Sequence, residues 1–473
     1  MNNENKFRQP LIILGVTIVI LYAISFINLD YEVPVINFKL KSVDFLSDIK
    51  DVNLSEQSSL NSQKNNSAKK SLKINQASLD FSNIFVEAIS FLENKTDKTT
   101  IDRTPLQGRK TSITGNVKQL NYFFDALKNA KTKTVRVAHF GDSAIEGDLI
   151  TSDIREALQN KFGGNGVGWL GIVSQDITFR QTTKHSFKGN WESAALYSSN
   201  PKGLPLGISG EINIPKGEAS VQYETTRSKR YLKDFSAVHL YYSNAKNSTI
   251  SYSFDGGAKQ TASLKTGSLI QELILKPSSR AKSILIEFPQ ADQAYFYGVT
   301  LENEPGIYVD NLPLRGNTGV DLGSLQVNTL RDFARYLDYK LIILEFGLNI
   351  AGSRNTDYNW YEREMVKVIN NLKAAFPRTS FLMVSVHDKS IKKGSNFVTD
   401  PTIIRLLETQ KNIAKQADIA IWSLFDAMGG ENSMPNWVNA NPPMAFKDFI
   451  HFNDIGAAKV ANLLTDALLE QNK

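Results

Sequence analysis

Residues 135–150 read VRVAHFGDSAIEGDLI, and this stretch decides the fold. A short apolar, β-branched run ends in Gly-Asp-Ser, and a helical pattern follows at once. That order predicts a strand and then a helix, with Ser143 on the turn between them. Such a turn exposes a hydroxyl and surrounds it with free backbone N–H groups, and the helix N-terminus adds positive potential. The stretch therefore predicts a nucleophile site.

The chain on either side of this stretch alternates strands with helices. Mostly apolar runs predict strands at residues 134–140, 306–311, 339–346, 380–386 and 419–422. Apolar stripes at helical spacing predict helices at residues 325–337, 361–376, 402–416 and 456–470. This alternation is typical of an α/β unit with a parallel sheet covered by helices on both faces. Ligands bind at the carboxyl ends of such strands, which is where Ser143 would lie.

Residues 175–304 break this rhythm, because they contain short alternating runs separated by turn signals and no long helix. The pattern predicts an antiparallel β-sandwich inserted into the α/β unit. Exposed aromatic side chains on such a module would suit the stacking of sugar rings, although any single aromatic residue is more often part of a core. The candidates are Trp191, Tyr223, Tyr242 and Tyr252.

A second chemical fragment, KDFIHFNDIGA at residues 447–457, places Asp448 three residues before His451. A hydroxyl, an imidazole and a carboxylate are the three parts of a serine hydrolase. The remaining histidines fit structural roles better, with one exception. His387 follows a predicted strand at the active-site edge and is the one that can touch substrate. The structural group comprises His139, His185 and His239.

Composition excludes several classes of function. The 473 residues carry a net charge of +6 and contain no cysteine, so thiol catalysis, cysteine-based zinc sites, disulfides and a lipoprotein anchor are excluded. No stretch combines dense Arg and Lys with aromatic residues, which argues against nucleic-acid binding. No histidine cluster has ligand spacing, so we expect no metal and no cofactor.

The N-terminal region predicts export. Residues 11–29 contain no charged residue and approach the ~20 residues that span a bilayer as a helix. Lys6 and Arg8 precede them, which predicts a cytoplasmic tail at 1–10 and a single-pass anchor in the inner or cytoplasmic membrane. A cleaved signal peptide is the competing interpretation. A flexible linker at 30–76 would then lead to a catalytic domain that faces the periplasm or the cell exterior.

These fragments together resemble the SGNH (GDSL-type) hydrolases, which carry four sequence blocks centred on Ser, Gly, Asn and an Asp-x-x-His pair. One departure is Ile350, which stands where the Asn block usually continues with Asp. The resemblance implies a three-layer αβα, flavodoxin-like fold. The matching residues are Ser143, Gly316 (with Gly319 as runner-up), Asn349, and the pair Asp448 and His451.

The resemblance also implies a role for each residue. Ser143 would attack an ester carbonyl, His451 would move the proton, and Asp448 would orient the imidazole. The oxyanion would be held by the backbone N–H groups of Ser143 and Gly316 and by the side-chain amide of Asn349.

Among these hydrolases, the architecture resembles bacterial peptidoglycan O-acetylesterases, in which a carbohydrate-binding-like module is inserted. We therefore expect hydrolase parts at 77–175 and 305–473, with the inserted β-sandwich at 176–304. The predicted function is a serine esterase that removes O-acetyl groups from an envelope polysaccharide, with acetylated peptidoglycan as the leading substrate. An O-acetyltransferase with the same site, a lipase and a non-catalytic glycan-binding scaffold remain as alternatives.

Overall fold

The computed structural model describes residues 31–33, 38–40 and 108–472, apart from 176, 178–179, 230–231, 304 and 353–356. The chain divides into two compact units, Met1–Thr99 and Thr100–Lys473. In the first unit, two short strands pair antiparallel, within the stretch that was predicted as a linker. The predicted tail at 1–10 and helix at 11–29 lie outside the described residues.

The described residues form nineteen strands and eight α-helices. The strands are β1 (Tyr31–Val33), β2 (Phe38–Leu40), β3 (Thr114–Gly115), β4 (Val135–Gly141), β5 (Gly168–Leu170), β6 (Thr183–Ala195), β7 (Glu211–Thr225), β8 (Ala237–Ser243), β9 (Thr249–Phe254), β10 (Gln260–Ser263), β11 (Gln271–Leu275), β12 (Ser283–Gln290), β13 (Tyr295–Glu302), β14 (Ile307–Pro313), β15 (Tyr339–Glu345), β16 (Ser380–Val384), β17 (Ser390–Lys393), β18 (Asn396–Thr399) and β19 (Ala420–Trp422). The helices are α1 (Asn121–Leu127), α2 (Thr151–Phe162), α3 (Val327–Leu337), α4 (Asn359–Ala375), α5 (Pro401–Gln416), α6 (Leu424–Met428), α7 (Ser433–Val438) and α8 (Asp454–Glu470).

A six-stranded sheet organises the α/β unit, with the strand order β14-β4-β15-β16-β19-β3. The first five strands are parallel and have the flavodoxin-like order, while β3 pairs antiparallel at the edge. Strand β4 is buried along its whole length, including Arg136 and His139, as expected for a strand covered on both faces. Apolar residues of α3, α4 and α5 form one core, and those of α1, α2 and α8 form another. The sheet therefore lies between two layers of helices.

Strands β6 to β13, Thr183–Glu302, form a second, antiparallel sheet that we call the β insert. Alternate residues of its strands bury a separate apolar core, which includes Val221, Leu240, Ile286 and Phe296. Strand β5 joins this sheet by pairing with β13, although it precedes the predicted boundary at residue 176.

The glycine-rich stretch 163–171 permits this junction. At Gly166 (φ +135°) a Cβ would lie 2.2 Å from the Leu301 carbonyl oxygen, and at Gly168 it would lie 2.4 Å from the Asp310 carboxylate. Glycine is thus required at these two positions by the close approach of neighbouring atoms.

The predicted fold class is wrong in its transmembrane part. Within the part of the chain that the structure describes, no helix is both long and apolar enough to cross a bilayer. The longest described helices, α4 and α8, have 17 residues each, below the ~20 that a bilayer requires. The membrane association that depended on the predicted helix is therefore not supported.

Candidate active site

Ser143 lies directly after β4, at the carboxyl edge of the parallel sheet. Asp142 caps the turn, because its side chain accepts the Ala144 N–H at 3.0 Å. The turn is a 3-10 helix, Ser143–Asp148, and α2 begins only at Thr151. The predicted immediate α-helix is thus wrong: Gly147 has φ +68° and Ile150 has φ +60°, which interrupts helical geometry. As the first residue of the turn, Ser143 still has no intrahelical acceptor for its N–H.

Asp448 and His451 share a short loop that precedes α8. A bridge between Ala445 and Phe452 closes the loop, and one carboxylate oxygen of Asp448 accepts the backbone N–H groups of Ile450 (2.9 Å) and His451 (3.0 Å). The carboxylate thus stabilises its own loop through one oxygen and contacts the imidazole through the other. The spacing of three residues is what allows both interactions.

The structure brings the three predicted catalytic side chains together. Ser143 Oγ lies 3.3 Å from His451 Nε2, and His451 Nδ1 lies 2.7 Å from Asp448 Oδ2. Burial by itself would raise the pKa of Asp448, but the hydrogen bonds from the His451 side chain and from the loop backbone lower it below its ordinary value. Asp448 therefore remains an anion and an acceptor, which favours the His451 tautomer with a free Nε2 lone pair.

The predicted oxyanion donors lie on two neighbouring loops. Gly316 is exposed with φ +73°, and no acceptor among the described residues lies in hydrogen-bonding position to its N–H. Gly319, the runner-up, donates its N–H to Asn317 Oδ1 at 2.7 Å, and a Cβ there would meet the Phe346 ring at 2.9 Å. Geometry thus favours Gly316 as a donor and makes Gly319 a packing residue.

Asn349 lies on a 3-10 turn after β15, and the nitrogen of its side-chain amide donates two hydrogen bonds. Its Nδ2 donates to the Asn317 carbonyl at 2.8 Å and to Asp142 Oδ2 at 3.2 Å. These bonds join the Ser143 turn to both predicted donor loops. To reach a substrate oxygen, the amide would have to exchange the longer, weaker bond to Asp142.

Asp142 is a buried acid that the sequence reasoning did not single out. It is 1% exposed and its backbone N–H donates to the Glu345 carbonyl. Burial, reinforced by the nearby Glu345 carboxylate, raises the pKa of Asp142 to about 7 in spite of the hydrogen bond from Ala144. The Gly-Asp-Ser motif was the available signal, since it placed a carboxyl next to the nucleophile.

His387 lies beneath the His451 loop. It is 2% exposed, its Nε2 donates to the Ile450 carbonyl at 2.8 Å, and its ring packs on Phe452 at a centroid distance of 4.4 Å. Burial lowers the pKa of His387 to about 4. Its ring also lines the cavity described below, so His387 both supports the loop and borders the space for a ligand.

The other histidines have buried or surface partners away from the Ser143 hydroxyl. His139 is fully buried between Glu345 Oε2 and Thr151 Oγ1, each at 3.0 Å. His185 bonds to a backbone carbonyl, and His239 bonds to Glu272 at 2.9 Å. Across the described ranges, no group of three or more acidic or histidine side chains is arranged to hold a metal ion.

Of the four aromatic candidates for sugar stacking, two belong to the core of the β insert. Tyr223 is fully buried and Tyr242 is 2% exposed. Trp191 is partly buried against Phe288, and its indole N–H donates to the Lys188 carbonyl. Tyr252 is also partly buried, with its hydroxyl on Gln260.

A cavity of ≈ 460 Å³ opens beside Ser143 and His451, and residues 181–182 and 228–229 also line it. Asp148, at the end of the Ser143 turn, holds the lining segment at 181–182 in place. Its carboxylate binds Arg155 through two bonds of 2.7 and 2.8 Å and accepts the Thr182 hydroxyl at 2.7 Å. Although burial opposes it, Arg155 and Arg180 hold the pKa of Asp148 below its ordinary value. The cavity wall is therefore anchored to the nucleophile turn.

The chain matches no family model and no curated protein sequence. Its fold is similar to that of a solved peptidoglycan O-acetylesterase, with TM-score 0.63 and 22% identity over 76% of this chain and 99% of that one. A family two carbohydrate esterase from Cellvibrio japonicus (TM-score 0.25, 11% identity, 61% and 98% covered) aligns too weakly to support an argument. The predicted resemblance to peptidoglycan O-acetylesterases is confirmed at the level of fold.

Proposed function

We propose that the chain is a serine esterase that removes O-acetyl groups from a cell-envelope polysaccharide, with acetylated peptidoglycan as its substrate. The observation that carries the proposal is the continuous contact from Ser143 Oγ to His451 Nε2 (3.3 Å) and from His451 Nδ1 to Asp448 (2.7 Å). The polysaccharide substrate is supported by the similarity in fold to a peptidoglycan O-acetylesterase.

The first half of the reaction forms an acetyl-enzyme. Ser143 Oγ attacks the acetyl carbonyl carbon while its proton passes to His451 Nε2, which gives a tetrahedral oxyanion. The oxyanion accepts hydrogen bonds from the Ser143 and Gly316 backbone N–H groups and from the Asn349 amide. When the intermediate collapses, the C–O bond to the sugar breaks, and the sugar oxygen takes the proton from His451.

The second half regenerates the enzyme. A water molecule gives a proton to His451 and attacks the acetyl-Ser143 carbonyl, and the second tetrahedral intermediate collapses to acetic acid, which ionises in solvent to acetate. Ser143 recovers its proton from His451. If a sugar hydroxyl took the place of water, the same steps would transfer the acetyl group instead.

The direct test compares Ser143→Ala with Ser263→Ala, which alters an exposed serine on β10. We expect Ser143→Ala to lower release of acetate from acetylated peptidoglycan by about 10⁴- to 10⁶-fold while the protein stays folded. Ser263→Ala should be unaffected. A fluorophosphonate probe should label the wild-type protein at Ser143 only. Acetate release that survives in Ser143→Ala would refute the proposal, and acetylated sugar in place of acetate would indicate a transferase.

A further inference from the structure

The cavity beside the catalytic residues is lined by two chemically different sets of side chains. One set comprises Ser143, His451 and Phe446, and the other comprises Gln181 and Lys229 from the region that leads into and belongs to the β insert. Its volume of ≈ 460 Å³ lies in the range of ligand pockets, about 300–1,000 Å³. The cavity is thus large enough for more of a substrate than its acetyl group.

Phe446 is the exposed aromatic side chain of this cavity. Its side chain is 55% exposed, whereas the two other phenylalanines of the same loop have ring partners. Phe449 stacks on Phe397 at 3.7 Å, and Phe452 packs on His387. Among the described residues no ring packs against Phe446, so its ring is not committed to the core. The position of Phe446 is nevertheless fixed, because its N–H donates to the His451 carbonyl at 2.9 Å.

The second set offers hydrogen-bonding groups that a ligand can engage at small cost. Gln181 Nε2 donates to Asp454 Oδ2 at 3.4 Å, which is a long and weak bond. Lys229 is paired with Asp153 and lies 3.9 Å from Glu156, so its charge is compensated. These groups therefore suit neutral polar groups such as hydroxyls better than an isolated charge.

We propose that this cavity is a saccharide subsite, in which the C–H face of a sugar ring stacks on Phe446 while sugar hydroxyls bond to Gln181 and Asp454. An aromatic ring in the same cavity as amide and carboxylate groups matches the two chemistries of a sugar ring. The inference rests on the proposed function and assigns substrate recognition to the catalytic cleft.

The test measures binding without turnover, in a Ser143→Ala background. The probe is a soluble O-acetylated glycan fragment of peptidoglycan, and the readout is its Kd by calorimetry. We expect Phe446→Ala to weaken binding by about three- to tenfold, the range of a single aromatic contact. Phe446→Trp should restore binding. Tyr122→Ala, which removes an aromatic side chain that is 47% exposed on α1, should leave the Kd unchanged.

Two results would overturn the subsite. One is the absence of binding to the Ser143→Ala protein, and the other is equal binding by the parent and the Phe446→Ala variant. A Gln181→Ala variant provides a second measurement, because the truncation removes a hydrogen-bonding group of the same cavity and should also weaken binding. Failure of the proposed function would look different: the fragment would bind, but the wild-type protein would release no acetate from it.

Discussion

The candidate site has two halves, the Ser143 turn and the His451 loop, and each packs on a buried titratable side chain. One of these side chains is an acid and the other is a base. Under the Ser143 turn lies an acid, Asp142, which is 1% exposed, and under the His451 loop lies a base, His387, which is 2% exposed. Asp142 holds the Ala144 N–H and the Asn349 amide, whereas His387 holds the Ile450 carbonyl. Both side chains therefore position the proposed catalytic groups indirectly, through residues that adjoin those groups.

Burial favours the uncharged form of each group, so the two pKa values shift in opposite directions. The pKa of Asp142 rises to about 7 and that of His387 falls to about 4. Between these values both supports are neutral. The proposed catalytic pair Asp448 and His451, by contrast, lies on an exposed loop, where each side chain is more than 40% accessible. The site thus combines buried, uncharged supporting side chains with an accessible acid–base pair.

Asp448→Asn should have the largest effect on the exposed half. The substitution keeps the shape of the side chain but removes the anion that orients His451, so we expect kcat to fall by about 10⁴-fold. Aryl acetate hydrolysis and the rate of fluorophosphonate labelling provide the measurements. Asp466→Asn, on the exposed face of α8, is the matched control. A fall of only a few-fold would mean that Asp448 serves the loop and not the imidazole.

Asn349→Ala probes the link between the two halves. Loss of one oxyanion donor costs about 10²- to 10³-fold in kcat, and we expect this loss with little change in KM. Asn349→Asp should be equally impaired, because it retains the size of the side chain but cannot donate. If Asn349 only bridges Asp142 and Asn317, both variants should lose stability in urea unfolding and retain most of kcat.

The sequence was sufficient to bring the proposed catalytic groups to attention because each lies at a position with a local signal. Ser143 follows a predominantly apolar strand, and Asp448 lies three residues before His451, a spacing that the loop geometry uses directly. Asn453, a residue type that favours helix N-termini, caps α8 by accepting the N–H groups of Ile455 and Gly456.

The groups that support the site could not be predicted, because their roles depend on contacts between distant segments. Asp142 accepts a hydrogen bond from Asn349, which lies more than two hundred residues later in the sequence. Asp148 accepts one from Thr182, which comes after α2 in the sequence. Phe446 has no periodic pattern, since it lies on a loop. The early break of the Ser143 helix also escaped prediction, because Gly147 and Ile150 carry positive φ values that apolar periodicity does not encode.

His387→Ala should have an intermediate effect. It leaves the Ile450 carbonyl without its donor and lets the His451 loop shift, so we expect a fall in kcat of roughly tenfold. His387→Gln keeps an N–H donor and should retain most activity. Because the unfolded histidine has a pKa near 6.5 and the native one about 4, the unfolded state binds more protons between these values.

This difference predicts that His387 makes the free energy of unfolding rise with pH from about 4 to 6.5, and that His387→Gln reduces the rise. Urea unfolding at several pH values measures both proteins. The activity of His387→Gln measures how far the reaction depends on the hydrogen bond to the Ile450 carbonyl. The slope of the unfolding free energy against pH measures the contribution of the buried imidazole. Identical slopes for the two proteins would show that His387 is not the buried base that the geometry indicates.

Asp142→Asn should have the smallest effect at neutral pH and the opposite pH dependence. The native Asp142 has a pKa of about 7 and the unfolded one about 3.9, so the native state binds more protons between these values. Its contribution to stability is present at low pH and is lost as the pH rises toward 7. Asp142→Asn cannot ionise, and the asparagine oxygen can still accept the Ala144 N–H. We therefore expect its unfolding free energy to decline less than that of the wild-type protein between pH 4.5 and 7.5, in the same urea series. Parallel curves would mean that Asp142 is ionised throughout this pH range. Of the two buried supports, His387 alone would then be uncharged.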